Sequence, residues 1–273
     1  MSDIVLSAGV RSNLLQLQQT SDLITQTQNR LATGKKVNSA LDNAINFFTA
    51  QGLDTRANNL NTLLDSMSNG INTIQAANNG ITSITKLVQS AQALVSQAQQ
   101  ANNTTTQAAL STQFNSLLAQ IGQLAGDSGF NGVNLLAGNT LTVTMNETAT
   151  STVSVTGVNY TNANNSPLSI ANAANNWAGA SDITAASTAL SAALTSLQSE
   201  SQTLSSSLST VQIRQDFTKA MVNTLQSGSA NLTLADSNAE GANLLALQTR
   251  QQLSSTALSL AAQADQNVLR LFR

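Results

Sequence analysis

The chain has 273 residues, 41% of them hydrophobic but only 3% aromatic and 9% charged, with 11 Lys+Arg against 13 Asp+Glu for a net charge of -2. A typical soluble domain carries about 25% charged residues, and here Ser, Thr, Asn and Gln fill 122 positions instead. With no Cys and no His, the chain lacks disulfides, thiolate metal sites, a cysteine nucleophile, and the commonest general base and metal ligand. The few cations are scattered among acids, so there is no basic face for nucleic acid. No apolar run approaches the ~20 residues of a membrane span. The start, Met1 to Ser7, has no basic region before an apolar block, so export without a cleaved signal peptide, or retention in the cytoplasm, is expected. Neither an enzyme nor a bound cofactor is expected.

In chain order, the first element is a helix with a heptad stripe of Val10, Leu14, Leu17, Ser21, Ile24, Gln28 and Leu31, ending near Thr33–Gly34. Gly34 suits the position just past a helix, where a left-handed backbone is cheap for Gly. A second helix is expected to start near Asp42 and to run from about 44 to 98, roughly 80 Å at 1.5 Å per residue. Its apolar stripe is Leu60, Leu64, Met67, Ile71 and Ile74, then Ile81, Ile84, Val88, Ala91 and Val95. Asn102 to Thr106 breaks the pattern. A shorter helix follows, with Ala109, Leu110, Phe114, Leu117, Leu118, Ile121 and Leu124 on its apolar side, and stops at Gly126–Gly129.

From Leu141 to Val158 the period changes to two, which predicts a β-hairpin with its turn at Asn146 to Ser151. Asn/Ala-rich coil with Pro167 and Trp177 fills the stretch to about 180. The cleanest heptad run then follows: Leu190, Leu194, Leu197, Ser201, Leu204, Leu208, Val211, Gln215, Thr218, Val222 and Leu225, with Gly228 as its expected end. A last helix from about 234 carries Leu253, Ala257, Leu260, Ala264, Val268 and Leu271. The fold expected is mainly α: a long heptad-patterned antiparallel bundle, coiled-coil-like, with a small β-hairpin insert. A lone amphipathic end helix is marginal in water, so each end stripe is expected to pack against other copies.

Four stretches carry a family resemblance. Arg30-Leu31-Ala32-Thr33-Gly34-Lys35-Lys36-Val37-Asn38-Ser39-Ala40-Leu41-Asp42-Asn43-Ala44 resembles the RLSSG-x-(R/K)-(I/V)-N-S-A-x-D-(D/N)-A stretch of bacterial flagellins. Asn69 to Gln75, Phe130-Asn131-Gly132-Val133-Asn134-Leu135-Leu136, and Gln266-Asn267-Val268-Leu269-Arg270-Leu271-Phe272-Arg273 are similar to three further runs of that family. Their order and spacing also agree, and they reach both ends of the chain. The resemblance implies a filament subunit, in the secreted flagellar filament, whose partners are itself and sister flagellins, hook-associated and cap proteins, and the flagellar export chaperone and apparatus. It further implies that residues 1–44 and 229–273 form terminal core helices, 45–140 and 178–228 an inner helical rod, and 141–177 a short variable insert. The stripes Val10, Leu14, Leu17, Ile24, Leu31 and Leu253, Ala257, Leu260, Ala264, Val268, Leu271 are then the expected filament interface. Both ends are expected to order only on assembly.

Beside the resemblance, the residues have plain readings. Asn38, Ser39 and Asp42 suit turn and cap roles. Lys35–Lys36 reads as a solvated pair, and Phe130–Gly132 as a turn. Asp236 and Glu240 suit a helix N-terminus. The family often carries a fuller acidic cluster there. In the helix matching that of flagellins sensed by the flagellin Toll-like receptor, only Leu94 is kept of their arginines, glutamate and leucine. Two other readings are a hook–filament junction protein, which a long middle insertion would have favoured, and a carbohydrate-binding adhesin, for which one Trp and one Tyr make a poor platform.

Overall fold

The computed structural model describes residues 8–165 and 167–271, leaving out the side chains of 265 and 268–271. Helices α1 (Ala8–Thr33), α2 (Ala44–Gln100) and α3 (Thr104–Asp127) precede strands β1 (Thr140–Thr144) and β2 (Thr152–Thr156); a short turn at Ala174–Trp177 leads into α4 (Ala180–Thr233) and α5 (Ser237–Leu271). The architecture is the helical, heptad-patterned one with a two-stranded insert. The chain divides into two compact units, one of residues 1–55 and 224–273, the other of residues 56–223.

Two helix boundaries differ from expectation. The break after α2 is confined to 101–103: the side chain of Asn103 accepts hydrogen bonds from the Thr105 and Thr106 N–H groups at 2.6 and 3.3 Å, making Thr104–Thr106 the first turn of α3. Gln107 Nε2 donates back to the Ala101 carbonyl at 3.1 Å and to the Ala98 carbonyl at 3.4 Å, the second of which is an end group of α2. Gly228 does not end α4, which continues to Thr233. A mid-helix Gly costs about 1 kcal/mol relative to Ala, but Leu225 and Ser229 on either side are buried, and a methyl at 228 would lie 3.4 Å from Leu53 Cδ1. Packing outweighs propensity here.

In the second unit, one apolar core joins α2, α3 and α4. Met67, Ile74, Ile84, Val88 and Ala91 of α2 are fully buried with Phe114 and Ile121 of α3 and Leu190 and Val211 of α4. The two strands are antiparallel with Leu141 opposite Val155 and Val143 opposite Val153. A methyl on Gly70 would lie 2.6 Å from Val143 Cγ2, so β1 rests directly on the α2 backbone. At the hairpin tip Arg56 Nε donates to Glu147 Oε1 at 2.8 Å, and this bond holds the Glu147 carboxyl below its usual range.

The stretch expected to be coil is packed. Tyr160, Leu168, Ile170 and Trp177 are all buried, and the Trp177 ring lies 4.9 Å from that of Phe114. To seat it, Asn175, Asn176 and Trp177 adopt left-handed φ of 47, 51 and 60°. Each costs on the order of 1–2 kcal/mol for an L-residue, less for Asn, and burial of the largest side chain in the chain offsets it.

Candidate assembly surface

In the first unit α1 packs along α5. The α1 residues turned into this seam are Val10, Asn13, Leu17, Thr20, Ile24, Thr27 and Leu31; on α5 they are Glu240, Leu244, Leu247, Gln251, Ser254, Leu258 and Ala261. Both sets alternate steps of three and four. Val10, Leu17, Ile24 and Leu31 of the expected α1 stripe are in the seam, but Leu14, Ser21 and Gln28 are not. From the same four anchors a heptad can step either way, and Asn13, Thr20 and Thr27 take the second position. Thr20 tolerates burial because its hydroxyl donates to the Gln16 carbonyl at 2.8 Å. Leu14 is left 41% exposed.

On α5 the expected stripe lies off the seam altogether. Leu253 and Leu260 are 68% and 62% exposed, and Ala257 and Ala264 are exposed beside them. At ~3.6 residues per turn this second stripe runs about a third of a turn from the first. The side chains of Val268 and Leu271 lie outside the described residues, as does Arg273; Gln266 and Asn267 are exposed. The same helix thus carries one heptad face used within the chain and one left open.

The resemblance-bearing loop closes the end of the seam. Gly34 takes φ 68° at the end of α1, as its position predicts. Lys36 N–H donates to the Thr233 carbonyl at 2.7 Å and Ala235 N–H to the Gly34 carbonyl at 2.9 Å, stitching the α1–α2 loop to the α4–α5 turn. Lys36 is not merely solvated: Nζ donates to the Asn231 carbonyl at 3.2 Å, where a cation suits the C-terminal end of α4. Asp42 accepts from the Asn38 and Ser39 N–H groups, each at 2.9 Å, and these two bonds hold its carboxyl below the usual range. Ala40 sits half-buried in that turn.

Arg30 Nη1 donates to Glu240 Oε1 at 3.1 Å, tying the last turn of α1 to the first of α5. Asp236 caps α5 through the Asn238 and Ala239 N–H groups. So of the two acids read as helix-start residues, Asp236 has that role and Glu240 spans the seam.

In the second unit Phe130 and Val133 exchange backbone hydrogen bonds around Asn131 (φ 47°) and Gly132 (φ 79°), a two-residue turn of primed type. Asn134, just after it in the same motif, has a bonding role that the motif does not disclose. Its Nδ2 donates to the Ala125 and Gly126 carbonyls, both at 2.8 Å, while Oδ1 accepts from Leu136 N–H at 2.9 Å and Ala137 N–H at 3.2 Å. One side chain therefore caps the end of α3 and fixes the following turn. An Asn a short step beyond a helix end was the available signal.

Among the described residues no cluster of acids could hold a metal, and no helix is long and apolar enough to cross a membrane. The comparisons agree with the motifs. The family model of the bacterial flagellin N-terminal helical region matches residues 8–140. Over its whole length the chain is 34% identical to flagellin FljK and, over 99% of that relative as well, 35% identical to flagellin FljN, both of Caulobacter vibrioides. It is 29% identical to a flagellin of Brucella melitensis, with both chains covered in full. The chain belongs to the bacterial flagellin family and is a structural subunit that self-assembles into the extracellular flagellar filament.

Proposed function

We propose that residues 1–44 and 229–273 line the filament core, that 45–140 and 178–228 form the layer around it, and that 141–177 is its short variable insert. The observation that carries this is the open stripe of α5. Leu253, Ala257, Leu260 and Ala264 are left exposed by the described residues although they repeat with heptad spacing. Copies that meet through two different surfaces without closing into a ring build a helical filament. The inner seam is already closed within the chain, so the open stripe with Leu14 is the surface left to meet another copy; in the sequence that stripe runs on to Val268 and Leu271. Each large aliphatic fully buried on assembly contributes roughly 1.5–3 kcal/mol.

The role is mechanical rather than catalytic. The family's export apparatus, its chaperone, and the hook-associated and cap proteins are the partners this reading supplies, with sister flagellins as co-polymerising subunits.

Because Leu260 is 62% exposed in the single chain, its replacement can be tested without harming the fold. Leu260→Asp is expected to leave the circular dichroism spectrum and melting temperature of the monomer unchanged while abolishing elongation of seeded filaments. The charge would be buried unpaired in the assembled core. Elongation at the unsubstituted rate would overturn the assignment.

A further inference from the structure

The seam between α2 and α4 in the second unit carries a feature that packing alone does not need. Among the buried positions of α4 in this unit, one heptad series is almost wholly apolar: Leu190, Leu197, Leu204, Val211 and Thr218. The other alternates apolar and polar with a period of fourteen: Leu194, Ser201, Leu208, Gln215, Val222. Both polar members are engaged by α2. Ser201 Oγ donates to Asn78 Oδ1 at 3.0 Å, and Asn78 Nδ2 donates onward to Ser205 Oγ at 3.3 Å. Gln215 Nε2 donates to Ser68 Oγ at 2.8 Å, and the same Ser68 hydroxyl donates to the Leu64 carbonyl at 2.9 Å.

Ser68 with Gln215 and Asn78 with Ser205 have the same residue-number sum, so both contacts define one antiparallel register. A helix pair built only on a strict seven-residue repeat has a second solution, slid by one heptad, in which apolar residues again face apolar ones. Here that slide would set Ser68 opposite Leu208 or Val222, and would put Leu194 or Leu208 where Ser201 meets Asn78. Half-buried polar groups would lose their partners on both sides, which is where the cost of a hydrogen bond is greatest.

We propose that Ser68–Gln215 and Asn78–Ser201–Ser205 form a two-point register lock that holds α4 at one axial position on α2 and excludes the heptad-slipped pairing. A buried polar pair specifying register is a known use of such residues in coiled coils. The lock matters for assembly, because a slipped rod would present its outer surface to neighbouring subunits about 10 Å out of place at 1.5 Å per residue. The inference does not depend on the interface assigned to α1 and α5.

The absence of Cys from the chain makes the test clean. In the full-length monomer, spin labels are placed at Asn61→Cys on α2 and Ser199→Cys on α4, both exposed. Their separation lies largely along the rod, so a one-heptad slip changes it by roughly 10 Å. The unsubstituted seam should give one distance. Removing either contact alone, by Ser68→Ala with Gln215→Leu or by Asn78→Leu with Ser201→Ala and Ser205→Ala, should still give one. Removing both should give a second population displaced by about that amount, with helicity and melting temperature retained or raised, since apolar replacement of such pairs is often neutral or stabilising. A single native distance in the fully apolar seam overturns the proposal. So does loss of helix there, because it would make these residues ordinary contributors to stability.

Discussion

Asn134 satisfies four backbone groups with one amide, two carbonyls at the end of α3 and two N–H groups in the next turn. Asn134→Ala is therefore expected to cost about 2–6 kcal/mol, at ~0.5–1.5 kcal/mol for each of the four bonds, read as a lower denaturant midpoint at constant slope. Asn134→Asp should cost more than Ala, because it would set a carboxylate against the Ala125 and Gly126 carbonyls; a near-neutral Asp would show that the Nδ2 bonds do not matter. Glu200 of α4 poses the opposite case: burial raises its carboxyl above the usual 4.5. The folded state thus holds the charged form at a disadvantage above that range, and the disadvantage vanishes as pH falls below the unfolded value. Glu200→Gln should raise the melting temperature at pH 7, by less than about 2 °C for a half-exposed group. The two proteins should converge below pH 4.5. A gain that persists or grows in acid would assign the effect to packing instead. Tyr160, raised by its own burial first and by the Glu200 charge second, titrates further from neutrality for the same reason.

At the scale of elements, periodicity was a good guide wherever a helix buries apolar residues in depth. The α2 stripe from Met67 to Val95 and the α4 stripe from Leu190 to Leu225 both face the core as spaced. The same reading was less complete for α1, because a heptad seam has two positions and only one of them repeats Val10, Leu17, Ile24 and Leu31. Thr20 and Thr27 occupy the other, and no hydrophobicity rule selects a threonine over Leu14. Gly228 differs for a related reason: its local cost is fixed by the backbone, while the helix around it is held by the burial of Leu225 and Ser229. The packed state of Tyr160, Ile170 and Trp177 was also hidden, since left-handed Asn175 and Asn176 leave no period to detect. What the motifs near Arg30, Phe130 and Gln266 disclosed was family membership; what they left out was the bonding role of Asn134 and the reach of Arg30 to Glu240.

Across the whole molecule the two units differ in what holds them. The second has a continuous core in which Met67, Ile74, Ile84, Phe114, Ile121, Leu190 and Val211 are fully buried. Among the described residues of the first, the buried apolar side chains are only Val10, Val37, Ala50 and Leu225, and its seam is interleaved with Thr20, Thr27, Gln251 and Ser254. A helix pair joined by so little apolar contact lies near the margin at which isolated helices persist. Such elements open locally before the rest of a protein. The expectation that the ends gain their order on assembly therefore takes a measurable form. In the free monomer, amides of α1 and α5 should exchange on the order of 100-fold faster than those of α2 from 81 to 95 and α4 from 190 to 211, each tenfold corresponding to about 1.4 kcal/mol of opening free energy. In the filament the difference should close, because the open α5 stripe and Leu14 are then covered. Leu260→Asp should leave the monomer pattern as it is and prevent the closing. Protection of α1 and α5 equal to that of α4 in the free chain would mean that the polar seam is sufficient by itself, and that the exposed stripe has a purpose other than completing it.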